Sequence, residues 1–243
     1  MLDVTTAGRR VLDELLYLSD PETGTVEISQ NEMCAELGSS KPTVNRGFKE
    51  LYACRLGWTV KDRFYQLHPL LTGGMVSSPV MPVPAIRAAE PERFTEQRWA
   101  RFTAQSSSYV LGSPADALVT IPRPVLRLLA LVDVTTAGRR VLDELLYLHD
   151  QETGTVEISQ NEMCAELGSS KPTVNRGFKE LRECGLTWSL EDGLYQLHPL
   201  LTGGKVSSPV MPVPAIRAAE PEGFTARRRS RYAAQTANLD IAG

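Results

Sequence analysis

The run Ser29-Gln-Asn-Glu-Met-Cys-Ala-Glu-Leu-Gly-Ser-Ser-Lys-Pro-Thr-Val-Asn-Arg46 returns unchanged as Ser159 to Arg176, 130 residues further along. Its opening has the form of a capping box, in which the Ser29 hydroxyl satisfies the third amide of a helix while Glu32 reaches back to the cap. The spacing predicts a helix over 30–37 with Met33, Cys34 and Leu37 inward. Gly38 supplies the left-handed residue that ends it. Ser40 is placed to cap a second helix over 41–54, in which Pro42 is tolerated in the first turn. Two short helices around a glycine turn form a helix-turn-helix.

The flanks extend this unit. Before it, Val11, Leu12, Leu15, Leu16 and Leu18 recur at helical spacing behind Thr5 and Thr6, which predicts a helix over 7–18. Asp20-Pro-Glu-Thr-Gly24 breaks it, and Thr25-Val-Glu-Ile28 alternates as a short strand. After it, Trp58-Thr-Val60 and Phe64-Tyr-Gln-Leu67 flank Lys61-Asp-Arg63 and read as a hairpin. The second copy has Glu191-Asp-Gly193 at this tip, and Asp-Gly is a strong tight-turn signal. The order helix, strand, helix, turn, helix, hairpin is that of a winged helix-turn-helix. Glycine follows the third helix directly in the second copy, at Gly185, whereas the first has Arg55 there. Because glycine accepts positive φ freely and arginine does not, a reshaped helix end is expected in the first copy.

The whole domain returns with the motif. Residues 3–105 align with 133–235 without a gap, and 19 of the 103 pairs differ. The chain is therefore a tandem duplication: a first domain over 3–105, a linker over 106–132, a second domain over 133–235 and a tail over 236–243. The expected fold class is α+β, mainly helical, with two tandem winged helix-turn-helix domains making a pseudo-dimer in one chain. The linker end, Pro124-Val-Leu-Arg-Leu-Leu-Ala-Leu-Val132, predicts an apolar helix over 124–132 with no counterpart before the first copy. It has to cover Leu126, Leu129 and their neighbours, against either copy or in a second chain. The proline-rich segment 76–91 reads as an extended strap lying on the domain, with a helix over 94–104 after it. This strip and the linker helix are the candidates for self-association or for a protein partner.

Composition narrows the function. The 243 residues are 42% hydrophobic and 23% charged, with 26 Lys and Arg against 29 Asp and Glu, so neither disorder nor a general polyanion sponge fits. The most apolar stretch, 110–132, is broken by Asp116, Arg123, Arg127 and three prolines, which argues against a membrane span. The start, Met1-Leu-Asp-Val4, lacks the regions of an export signal, so a cytoplasmic protein with four free thiols is expected.

The exposed face of the third helix carries the sharpest signal. In a major groove it would present Asn45 and Arg46, which suit adenine and guanine edges, with Ser40, Lys41, Thr43 and Lys49 for phosphates or bases. From 38 to 49 there are three basic side chains and no acid, despite a net-acidic domain. The same face recurs as Ser170, Lys171, Thr173, Asn175, Arg176 and Lys179. Lys61 and Arg63 at the first wing tip are placed to touch phosphate or the minor groove, where Glu191 would be repelled. The cluster Arg227-Arg-Arg-Ser-Arg231 is a further place to grip backbone phosphates, or a solvated helix end. Cys34, Cys54, His68, their copies and His149 fit no usual metal spacing, and Cys34 is expected to pack in the core. Asp13 with Glu14, and Glu90 with Glu92, are paired acids expected on solvated surface. With no nucleophile elbow, phosphate loop or HExxH present, no enzyme, cofactor or metal is expected.

Here the residues reach a resemblance. Ile28 to Gly38, then Ser40-Lys-Pro-Thr-Val-Asn-Arg46 and Lys49-Glu-Leu51, resemble the helix-turn-helix of bacterial regulators of the Crp and MarR type. The ending Tyr65-Gln-Leu-His-Pro-Leu-Leu-Thr-Gly-Gly74 is similar to the tail of RepL-like plasmid replication proteins, with His68 where that family has Asn. The resemblance implies sequence-specific binding of double-stranded DNA, and the duplication implies that the DNA bears two copies of a short site. Plasmid replication, copy control or partition is the implied setting. A transcriptional regulator, or a winged-helix protein scaffold, is the alternative.

Overall fold

The computed structural model describes residues 4–72, 121, 123–132, 134–202 and 213–218, with single positions at 87, 96, 99, 100, 226, 229, 230 and 233. The linker before 121, the tail, the first strap apart from Arg87, most of the expected 94–104 helix and most of the 227–231 cluster lie outside these residues. The chain is α+β, and it divides into two compact units, one around each copy.

The first copy runs α1 (Thr6–Leu18), β1 (Thr25–Glu27), α2 (Gln30–Leu37), α3 (Lys41–Ala53), β2 (Gly57–Lys61), β3 (Phe64–Leu67) and a 3-10 turn (Pro69–Leu71). In the second, α4 (Arg123–Leu131) precedes α5 (Thr136–Leu148), β4 (Thr155–Glu157), α6 (Gln160–Leu167), α7 (Lys171–Glu183), β5 (Thr187–Glu191), β6 (Leu194–Leu197) and a 3-10 turn (Pro199–Leu201). The capping box closes as expected: the Glu32 amide donates to Ser29 Oγ at 3.2 Å and the Ser29 amide to Glu32 Oε2 at 2.7 Å. Gly38 ends α2 at φ 58, ψ 33. The turn between α2 and α3 is therefore only Gly38-Ser39-Ser40, short enough to force the two helices across each other.

The core forms where the apolar stripes of the three helices meet the sheet. Leu12, Leu15, Met33, Leu37, Phe48 and Leu51 are buried, each contributing about 1.5–3 kcal/mol by leaving water. Phe48 stacks on Tyr65 at 4.8 Å between ring centres, and Phe178 on Tyr195 at 4.6 Å. α1 crosses α3 at Gly47, where a Cβ would stand 2.8 Å from both the Ala7 carbonyl oxygen and Val11 Cγ2. Glycine there sets the helix separation.

Two expectations about α1 and α2 are corrected. Asp13 and Glu14, read as solvated acids, are 2% and 0% exposed. Ala7, Val11 and Glu14 follow one another at the four-then-three spacing of a single helix stripe, so the acid shares the covered face with the apolar residues. Cys34 is half-buried rather than a core residue, and the buried thiols are Cys54 and Cys184 just after α3 and α7.

In each sheet the third strand lies centrally, in the order β1-β3-β2 and β4-β6-β5, all antiparallel. β1 thus extends the hairpin, pairing Val26 with Tyr65 while β2 pairs Trp58 with Gln66. Buried Gln66 fixes this edge by donating from Nε2 to the Thr23 carbonyl at 2.9 Å. At the hairpin tip only Arg63 (φ 65) or Gly193 (φ 78) is left-handed, and the ladder shifts register between Thr59 and Lys61. This is a bulged turn, since a two-residue type I′ turn needs two left-handed residues in a row.

The end of α3 is not reshaped, contrary to expectation. Arg55 adopts φ 58 where Gly185 has φ 71. The closing bonds match as well: the Leu56 amide donates to the Leu51 carbonyl and the Leu186 amide to the Leu181 carbonyl, both at 2.9 Å. The fold imposes the conformation, and arginine bears the strain.

α4 starts one residue earlier than expected and buries Val125, Leu128, Leu129 and Ala130, with Leu126 half-buried; it belongs to the second unit. The described part of the second strap, 213–218, lies on its own copy. Ile216 and Ala218 are buried there, and the Arg217 amide donates to the Cys184 carbonyl at 2.9 Å. In the first copy the Arg87 amide donates to the Cys54 carbonyl at 3.0 Å.

Candidate nucleic-acid interface

α3 buries Val44, Gly47, Phe48 and Leu51, so the residues between them face water by helical geometry. Ser40, Lys41, Arg46 and Lys49 are exposed, and Thr43 and Asn45 are half-buried. In α7, Ser170, Lys171, Asn175, Arg176 and Lys179 are exposed and Thr173 is half-buried. Of the twelve expected residues, nine are thus exposed and three, Thr43, Asn45 and Thr173, are half-buried.

Details at the helix start differ from expectation. Ser40 occupies the cap position but makes no side-chain bond to the α3 amides; its hydroxyl pairs with Thr43 Oγ1 at 2.9 Å, and Ser170 with Thr173 at 3.0 Å. The first turn carries no acid, so the amide ends of α3 and α7 stay electropositive. Asn45 Oδ1 is buried without a hydrogen bond, whereas Asn175 is exposed, so the two asparagines do not present the same group to solvent. Arg46 Nε lies 4.0 Å from Glu50 Oε1 with the arginine side chain 66% exposed, and Lys179 lies 3.7 Å from Glu183. Such surface pairs are worth about 0–1 kcal/mol, so both cations exchange partners at little cost.

The two basic residues at the first hairpin tip are both occupied. Lys61 Nζ stands 4.3 Å over the Phe64 ring, and Arg63 Nη2 is 3.2 Å from Glu32 Oε2. The Ser29 hydroxyl and amide, with the Arg63 charge, hold the Glu32 carboxyl below its usual range. The second copy has exposed Glu191 and Asp192 at this place, with Gly193 between them and Leu194.

Two positioning contacts were invisible as motifs. Arg10 Nη2 donates to the Leu37 carbonyl at 2.6 Å, placing a cation on the last turn of α2, and Arg140 does the same to Leu167. Glu50 accepts from the Thr5 amide at 3.0 Å and the Thr5 hydroxyl at 2.7 Å, as Glu180 does from Thr135, so α3 is tied to the start of α1 and α7 to the start of α5. Each joins residues far apart in sequence, and nothing local signals it.

His198 is bonded at both ring nitrogens. His198 Nδ1 accepts from the Leu200 amide and Nε2 lies 3.2 Å from the Pro214 carbonyl, which fixes the neutral tautomer with the proton on Nε2. Burial pushes its pKa down to about 4. Burial, with Glu180 and Glu183 nearby, pushes the Cys184 thiol up to about 11, far from a reactive or metal-binding thiolate. Among the described residues no three His, Cys, Asp or Glu side chains gather as a metal set, and no helix is long and apolar enough to cross a membrane.

No family model matches the chain, and no curated protein or solved structure matches it.

Proposed function

We propose that each copy is a winged helix-turn-helix domain and that the chain binds double-stranded DNA carrying two copies of one short site. α3 and α7 lie in successive major grooves in this reading, with the β2–β3 and β5–β6 hairpins as wings. The observation that carries it is the exposed face at the start of the second helix of each helix-turn-helix, where residues 38–49 and 168–179 each hold three basic side chains and no acid in a chain of net charge −3. The packing of the hairpin on this helix supports it: Phe48 of α3 stacks on Tyr65 of β3, and Phe178 of α7 on Tyr195 of β6. Two heads in one chain raise affinity through effective concentration without dimerisation. The RepL-like ending of the hairpin favours plasmid replication, copy control or partition over transcriptional regulation.

The test is Arg46→Ala with Arg176→Ala in the full chain. Loss of about 1–3 kcal/mol of binding per arginine, with relaxed sequence preference, is expected for bidentate base contacts. A chain whose duplex binding ignores both changes is not reading DNA with these helices, and the protein-scaffold alternative would take over.

A further inference from the structure

The reading helices are the same in both copies from 41 to 51 and 171 to 181, but the wings beside them are not. The first tip is Lys61-Asp-Arg63 and the second Glu191-Asp-Gly193, a change from net +1 to net −2. At the third position the backbone is left-handed in both, which suits the glycine of the second copy; the first copy holds arginine there at φ 65. The Ile28 amide donates to the Arg63 carbonyl at 2.9 Å, which pins the tip beside the start of α2. From this fixed point the guanidinium reaches Glu32, with Nη2 3.2 Å and 3.4 Å from its two carboxylate oxygens. Both side chains remain half exposed, at 50% and 56%. An arginine held in a strained conformation on a solvated carboxylate is poorly explained as a stability device.

We propose that Glu32 is an internal stand-in for a DNA phosphate, holding the wing arginine Arg63 until duplex DNA displaces it, so that the two heads weigh unequally in binding. The inference rests on the reading of the copies as DNA-binding heads. A guanidinium fork donates to carboxylate and phosphate oxygens with the same geometry, so the two compete for one donor. The second copy has the same capping-box acid, Glu162, bonded to Ser159, but among the described residues no basic group pairs with it. Its wing has neither the ligand nor the gate. The first head therefore carries the wing's phosphate contacts, and the second reads sequence with α7 alone.

The experiment uses the full chain and a duplex bearing a single copy of the site recovered by selection from random duplexes. Arg176→Ala leaves only the first head reading, and Arg46→Ala only the second. The first-head chain is expected to bind about tenfold tighter, with a log-log salt slope steeper by about two for the phosphates of Lys61 and Arg63. Glu32→Gln, which keeps the capping box, then raises first-head affinity about three- to tenfold by ending the competition. Glu162→Gln removes the same negative charge without a gate and measures simple repulsion; it is expected to change second-head affinity by less than about twofold. Equal gains from the two glutamine variants, or equal salt slopes for the two heads, overturn the proposal. If neither arginine variant alters binding, the reading helices themselves are misassigned, an outcome distinct from failure of the gate. A graft adds an independent arm: at Gly193 a Cβ would meet nothing nearer than the Ile158 carbonyl oxygen at 3.8 Å, so Glu191→Lys with Gly193→Arg has room and bears only the left-handed strain, at φ 78, that Arg63 already bears in the first copy at φ 65. It should confer on the second head both the steeper salt slope and sensitivity to Glu162→Gln, and failure to do so counts against the gate.

Discussion

Arg55→Gly should stabilise the first copy, and its mirror image, Gly185→Ala, should destabilise the second. Arg55 sits at φ 58 after α3, where a side chain other than glycine costs about 1–2 kcal/mol. Glycine gives back about 0.5–1 kcal/mol through the freedom of the unfolded chain. The net expectation is a gain of about 0.5–1 kcal/mol. In the second copy the balance is harsher, because a Cβ on Gly185 would stand 2.5 Å from the Ala215 carbonyl oxygen in addition to adopting φ 71. That backbone contact must shift, and the strap bonded through Arg217 shifts with it, so a loss of about 2–3 kcal/mol is expected. Hydrogen exchange read by peptide mass suits the test, because residues 52–58 and 182–188 differ in sequence and their peptides are separable although those of 41–51 and 171–181 are not. Arg55→Gly should slow exchange in 52–58 about two- to fivefold and leave 182–188 unchanged. Unchanged or faster exchange in 52–58 would refute the idea that the fold imposes the left-handed conformation on arginine.

Three further outcomes follow from the packing. Gly47→Ala and Gly177→Ala should each lower stability by about 1–3 kcal/mol in calorimetry, because the added methyl meets the α1 or α5 backbone and overrides the roughly 1 kcal/mol helix-propensity gain. His198 has its folded pKa at about 4, below the unfolded value of 6.5. The unfolded chain therefore binds the extra proton, so the stabilisation is full above pH 6.5 and is lost as pH falls toward 4. Denaturant titrations at pH 6.5 and 5 should show the wild type losing about 2 kcal/mol more than His198→Gln, and parallel losses would place the histidine in a hydrated setting. Alkylation at pH 8 should label half-buried Cys34 and Cys164 well before Cys184, whose thiol lies at about 11; early labelling of Cys184 would show that burial does not protect it.

The local grammar of this chain was legible because its signals are short-range. Ser29 with Glu32, Gly38 and the apolar stripe of 44, 48 and 51 each act within one or two helical turns, and α2 and α3 fall where they place them. What escaped was set by contacts between distant residues. Glu14 reads as a surface acid by its type, and only the 7, 11, 14 stripe, counted irrespective of polarity, reveals that it is covered. The Thr5 to Glu50 tie spans 45 residues and Arg10 to Leu37 spans 27, with no sequence pattern to announce either. Arg55 was misjudged for a related reason: local preference argued for a different helix end, but the bonds closing at Leu56 outweigh it. At the interface the residue types were readable and their company was not, since the pairing of Arg63 with Glu32 depends on how the hairpin lies beside α2.

The measurement that bears most directly on the proposed function is selection of bound sequences from random duplex DNA with the intact chain, repeated with Arg46→Ala plus Arg176→Ala. Because α3 and α7 with their caps match at every position from 40 to 51 and 170 to 181, the proposed function requires enrichment of duplexes in which one short motif occurs twice, and loss of that motif with the double variant. Enrichment of no motif, or of a motif that survives the double variant unchanged, would contradict it.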